Sequence, residues 1–84
     1  MTNLEYELLD ELYFVIRFQD LQQVLEWEET LLLNQLCLLL EKEWVKCIDT
    51  QGNHLDTLPA NLPAQHLACL FLATKTGLKA HHSR

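Results

Sequence analysis

Cysteines and histidines carry the readiest chemistry in this chain, and their spacing is unpromising. Cys37, Cys47 and Cys69 are widely separated, and His54, His66, His81 and His82 form no C-x-x-C or H-x-x-x-H pair. Structural and catalytic zinc sites draw their ligands from such short spacings. No metal site and no cofactor is therefore expected. Cys37 lies among leucines, where a thiol is pushed towards its neutral, inert form. Adjacent carboxylates, Asp10–Glu11 and Glu28–Glu29, read as solvated helix faces rather than as acid–base pairs. The two glycines, Gly52 and Gly77, are too few and too far apart for a phosphate-binding loop. No catalytic residue is assigned, and the chain reads as a non-enzymatic protein.

The elements that would position any site begin with the leucine run. Leu31 to Leu40 hold seven leucines, one cysteine and two polar residues, Asn34 and Gln35. From Leu31 to Trp44 there is no Gly, Pro or β-branched residue, so a helix is predicted over about 28–43. The run is about half of the ~20 residues needed to span a bilayer, so no membrane segment is expected. A helix apolar nearly all round needs cover on both sides.

Before it, Thr2-x-x-Glu5 forms a capping box that starts a helix over about 3–14, with Leu4, Leu8, Leu9, Leu12 and Phe14–Val15–Ile16 on or near one face. Val15 and Ile16 either extend it or make a short β bridge. Leu21, Val24 and Leu25 point inward on a second helix, about 19–26. After the leucine helix, 44–49 alternates in the β period, with Val45 and Cys47 on one side. Residues 50–53 form a turn in which Gly52–Asn53 can take positive φ. Residues 54–58 make a return strand, and Pro59 and Pro63 frame a loop. The stretch 66–73 is apolar enough for a mostly buried strand. A turn or short helix follows at 74–80, and 81–84 reads as a frayed tail.

Length and charge bound the rest. Eighty-four residues make one domain, 1–84, near the lower range for a self-sufficient core. Residues 1–45 hold ten acids and two bases, net −8, and residues 46–84 hold four bases and two acids, net +2, which together give −6. An acidic N-terminal half disfavours nucleic acid. Three cysteines among apolar neighbours suit a reducing cytoplasmic setting, with no signal peptide at the N-terminus.

Three helices, a hairpin and a last short element follow the order of a winged helix-turn-helix domain. Phe18-x-x-Leu21-x-x-Val24-Leu25-x-Trp27-x-Glu29 resembles that family's second helix and turn. Leu32, Leu36 and Leu39 fit the inward positions of its third helix. Glu41-Lys42-Glu43-Trp44-Val45 resembles the exit into the first wing strand, commonly E-K-x-G-hydrophobic-V. Leu72-Ala73-Thr74-Lys75-Thr76-Gly77-Leu78 resembles the L-T-x-x-G step of MarR-like members. The similarity covers about 18–79. It implies an α+β fold of winged helix-turn-helix type, with three N-terminal helices followed by a small antiparallel β wing.

The resemblance would also imply DNA binding through the third helix. Here the chain departs from the pattern. The outward face of that helix carries Leu31, Asn34, Leu38 and part of Glu41, with no base between Arg17 and Lys42. The αL glycine usual at its exit is replaced by Glu43. DNA contacts would fall to Asn34, Gln35, Lys46, Lys75 and Lys79. The surplus leucines argue instead for a protein surface built on Leu31, Leu33, Leu38 and Trp27. The expected partner is a second copy of the chain or another protein; the alternative is that the first helix and the last strand cover both sides of this helix within one chain.

Overall fold

Thr2 begins the first helix as the sequence predicts. Its hydroxyl accepts from the Glu5 amide at 3.1 Å, and the Glu5 carboxylate accepts from the Thr2 amide at 3.1 Å. The computed structural model describes residues 2–55, 62, 67 and 69–83. Among them lie helices α1 (Asn3–Asp10), α2 (Phe18–Leu25), α3 (Glu29–Glu41) and α4 (Lys75–His82). Strands β1 (Ile16–Arg17), β2 (Val45–Ile48), β3 (His54–Leu55) and β4 (Leu70–Ala73) form one antiparallel sheet in the order β1-β4-β2-β3. The fold is α+β.

Several boundaries differ from expectation, each for a tertiary reason. The first helix stops at Asp10 rather than near residue 14. Its end tightens through Glu11 N to Leu8 O and Leu12 N to Leu9 O, and the Leu12 carbonyl then accepts from the Ala73 amide at 2.9 Å. The chain is thus drawn to the sheet, where Ile16 pairs with Phe71. Phe14 and Val15 consequently lose the helical phase that would have turned them inward. Phe14 is 84% exposed and Val15 47%. The sheet therefore includes a strand from between the first two helices, rather than being purely a C-terminal wing.

At the other end the short last element is a full helix, so the described residues hold four helices where three N-terminal ones and a wing were expected. Its last turn includes His81 and His82, expected to be frayed, and His81 is buried. Of the expected strand 54–58, residues 54–55 are β3 and the rest lie outside the described residues. The Pro59–Pro63 loop also lies outside them, apart from Leu62, which is buried. So does His66. Of the expected strand 66–73, β4 accounts for 70–73, and Leu67 is 63% exposed.

The core forms where helices meet sheet. Leu8, Leu9, Leu12, Phe18, Leu21, Leu32, Leu36, Leu39, Val45, Cys47 and Phe71 are buried there. Phe18 and Phe71 meet at a ring separation of 6.5 Å. On β4 the inward Phe71 and Ala73 alternate with half-buried Leu70 and Leu72, the period of a sheet with one face on the core. The 49–53 turn is closed by Asp49, whose carboxylate accepts from the Gln51 and Asn53 amides, each at 2.9 Å. Gly52 takes the positive φ there, at 88°.

The exit of α3 keeps its left-handed turn without glycine. Glu43 adopts φ 62°, with Trp44 N bonded to Leu39 O and Glu43 N to Leu40 O. The turn docks directly on the start of α4. The Thr74 hydroxyl donates to Glu43 O and accepts from Gly77 N, and the Thr74 amide donates to Trp44 O at 2.8 Å. A Cβ at Gly77 would come within 2.1 Å of the Trp44 carbonyl oxygen, so only glycine allows this approach.

Candidate functional site

The 3.6-residue period sorts the leucines of α3. Leu32, Leu36 and Leu39 are fully buried. Leu33, Cys37 and Leu40 flank them and pack partly on the core. Thr30, Asn34, Leu38 and Glu41 face outward, and Leu31 is half-buried at the edge of that face. Among the candidate interface residues, Leu33 and Trp27 are packed against the chain's own core. Leu38 is the open one, at 44% exposure. Val24 on α2, which the sequence pattern turned inward, is 56% exposed. The α2 helix ends one residue later, at Leu25, and the core side of α2 is taken by Phe18 and Leu21.

Both ends of α3 are rich in acids. Glu26, Glu28, Glu29, Glu41 and Glu43 are all exposed. The two bases of residues 1–45, Arg17 and Lys42, each have a carboxylate partner. Arg17 grips Asp20 through two contacts, at 2.9 and 3.2 Å. Lys42 reaches back to the buried carboxylate of Glu5 on α1, and its ammonium lies 4.7 Å from the centre of the Trp44 ring. Burial pushes the Glu5 carboxyl up, but hydrogen bonds from Lys42 and Thr2 outweigh it and hold it below the usual glutamate value. Burial raises the Cys37 thiol, and the Glu41 carboxylate adds to the rise, so Cys37 is a poor nucleophile.

The candidate DNA contacts are divided among elements. Asn34 is exposed on α3, and Gln35 is half-buried with its side-chain oxygen enclosed and unbonded. Lys46 is half-buried on β2. Lys75 and Lys79 are exposed on α4, which packs against α1 and β4.

A second polar cluster, invisible in the sequence, joins α1 to α4. The Tyr13 hydroxyl lies 2.7 Å from His81 Nδ1 and 3.3 Å from His82 Nε2. Tyr6 stacks on the His81 ring, with centroids 4.3 Å apart and planes 16° from parallel. Asp10 Oδ1 is 3.5 Å from His81 Nε2. That Nε2 is buried and makes no hydrogen bond, so the Tyr13 hydroxyl is the close polar partner of the ring. The hydrogen bond and the stack tie α4 to the N-terminal end of the chain. Among the described residues no group of three or more His, Cys, Asp or Glu side chains is placed to hold a metal ion. The HH pair and the two tyrosines were the available signal, but nothing local linked them.

Among the described residues no helix is long and apolar enough to cross a membrane. No family model, curated protein or solved structure matches the chain.

Proposed function

We propose that this chain is a non-enzymatic, winged-helix-like domain that associates with another polypeptide through the outward face of α3. The succession of α1, α2 and α3, followed by the adjacent antiparallel strands β2 and β4, supports the winged-helix reading. The observation that carries the function is Leu38, a large apolar side chain left 44% exposed beside half-buried Leu31 on the position that relatives of this arrangement would turn to DNA. Exposed leucine on a rigid helix gains free energy when a partner covers it, about 1.5–3 kcal/mol for a fully buried side chain. Three cysteine thiols suit a reducing compartment such as the cytoplasm.

The test is association. A partner should protect the amides and side chains of α3, read by chemical-shift perturbation, and Leu38→Glu should abolish that binding with the rest of the spectrum unchanged. Binding that survives Leu38→Glu would remove α3 as the surface.

The second reading is a DNA-binding regulator, favoured by exposed Asn34 on α3 and by Lys75 and Lys79 on α4. Fluorescence anisotropy with random duplex DNA at low salt separates the two. The association reading expects no binding, whereas binding that weakens steeply with salt supports the regulator.

A further inference from the structure

We propose that the junction of α1 and α4 holds a divalent transition-metal ion of the zinc class, bound by Tyr13, His81 and His82. The site is independent of the association reading. Consecutive residues of a helix do not face one another, because each step turns by about 100°. His81 and His82 nevertheless bring a ring nitrogen to the same atom. The Tyr13 hydroxyl, on the segment between α1 and β1, is 2.7 Å from His81 Nδ1 and 3.3 Å from His82 Nε2. Among the described residues no three His, Cys, Asp or Glu side chains converge in this way, and here the third donor is a phenol oxygen.

Two imidazole nitrogens and one anionic oxygen make a zinc donor set that leaves a fourth position for water. Donors about 2.0–2.1 Å from a tetrahedral ion stand about 3.3 Å from one another. His82 Nε2 already has that spacing from the phenol oxygen, at 3.3 Å. His81 Nδ1, at 2.7 Å, has to open by roughly half an ångström. His82 is exposed and Tyr13 half-buried, so an ion can enter from solvent and both side chains can adjust to it. As the ion binds, an oxygen–metal bond replaces the phenol O–H bond, and the proton passes to water.

His81 is the fixed member of the set. Its ring is buried, with Tyr6 stacked on it at 4.3 Å. Its Nε2 is enclosed without a hydrogen bond, and Asp10 Oδ1 lies 3.5 Å away. A neutral imidazole bound to a metal through Nδ1 carries its proton on Nε2. The Asp10 carboxylate is then placed to accept from it, in the carboxylate–histidine–metal order that orients such ligands. Asp10 is thus a positioning residue. The ion gives a role to a buried nitrogen that the fold otherwise leaves unbonded.

The experiment titrates the full chain with zinc chloride by isothermal titration calorimetry, its cysteines kept reduced by a non-chelating reductant. NMR follows the histidine and tyrosine rings through the same titration. One equivalent should bind, with the His81, His82 and Tyr13 rings shifting together and the His54 ring unmoved. His82→Gln and Tyr13→Phe should each weaken binding tenfold or more. Asp10→Asn should weaken it about tenfold, the usual effect of losing such a carboxylate. Glu26→Gln, which removes the same charge at the end of α2, should leave it unchanged. His82 is exposed, so its variant keeps the test open should Tyr13→Phe loosen α4.

No binding at millimolar zinc would overturn the site, as would ring shifts centred on His54. So would an affinity unchanged by both His82→Gln and Tyr13→Phe. Binding weakened by His82→Gln alone, in a Tyr13→Phe chain that stays folded, would overturn the phenol as a ligand. An Asp10→Asn effect matched by Glu26→Gln would reduce the role of Asp10 to net charge.

Discussion

The seam between α1 and α4 and the outer side of α3 are opposite solutions to the same problem. At the seam, polar side chains from distant parts of the chain find one another: Tyr6, Asp10 and Tyr13 from the N-terminal end, His81 and His82 from the C-terminal end. On α3, apolar side chains from one short stretch outnumber the positions the core can take. The seam is closed by the chain itself, and on α3 Leu38 stays 44% exposed. Polar groups have partners within the domain where the fold can supply them. A surplus of leucine has no such remedy, because one helix has only one core-facing side.

Substitutions can break or sharpen this contrast, and the largest effect should come from the inner side of α3. Leu36→Ala should cost about 2–5 kcal/mol in denaturant unfolding, since a fully buried leucine leaves a cavity. Next, Gly77→Ala should cost about 1–3 kcal/mol, despite alanine's better helix propensity. The new Cβ would meet the Trp44 backbone rather than a side chain that can swing away. Its effect should appear first as loss of amide protection in α4.

The seam itself is tested by Tyr13→Phe. Removing the hydroxyl leaves His81 Nδ1 without its close partner, at a cost of about 1–2 kcal/mol. A change within error would mean that the Tyr13 hydroxyl adds nothing to the seam.

The latch from α1 to α3 has a pH signature of defined sign. The folded carboxyl of Glu5 lies below its ordinary value of 4.5, so its contribution is present above that value and is lost as pH falls through the folded one. Unfolding followed from neutral pH into this acidic range should therefore show declining stability, and Glu5→Gln should flatten that decline. The smallest effect belongs to the outer side of α3. Leu38→Glu should change monomer stability by less than about 0.5 kcal/mol, as an exposed position does. A strongly destabilised monomer would place Leu38 in the core and erase the contrast.

Much of the frame was legible because it is local. The Thr2–Glu5 capping box depends on residues three apart, and the structure keeps both of its hydrogen bonds. Leu32, Leu36 and Leu39 were matched to inward positions through the resemblance to a winged-helix third helix, and they are the fully buried leucines of α3. Val45 and Cys47 alternate inward on β2 as the β period requires. The candidate surface was legible only in part. Leu38 was named with Leu33 and Trp27, which the core covers from sides that a helical wheel does not show. Phe14 was placed near the inward face because the apolar spacing continues past the end of α1, and Val24 because the spacing does not show that Phe18 and Leu21 take the core side of α2.

What the sequence by itself determined is the identity of α3 as a helix, the phase of its buried leucines and the acidic bias of the half that contains it. These follow from side-chain periodicity and charge, which act over a few residues. Only the tertiary structure decided where α1 ends, that Glu43 takes a left-handed turn, that Gly77 must be bare and that His81 is enclosed. Each depends on a contact between residues far apart in the chain: Leu12 with Ala73, Thr74 with Glu43, Gly77 with Trp44, and Tyr13 with His81. No local pattern encodes such a meeting, because it forms only when the helices have packed on the sheet.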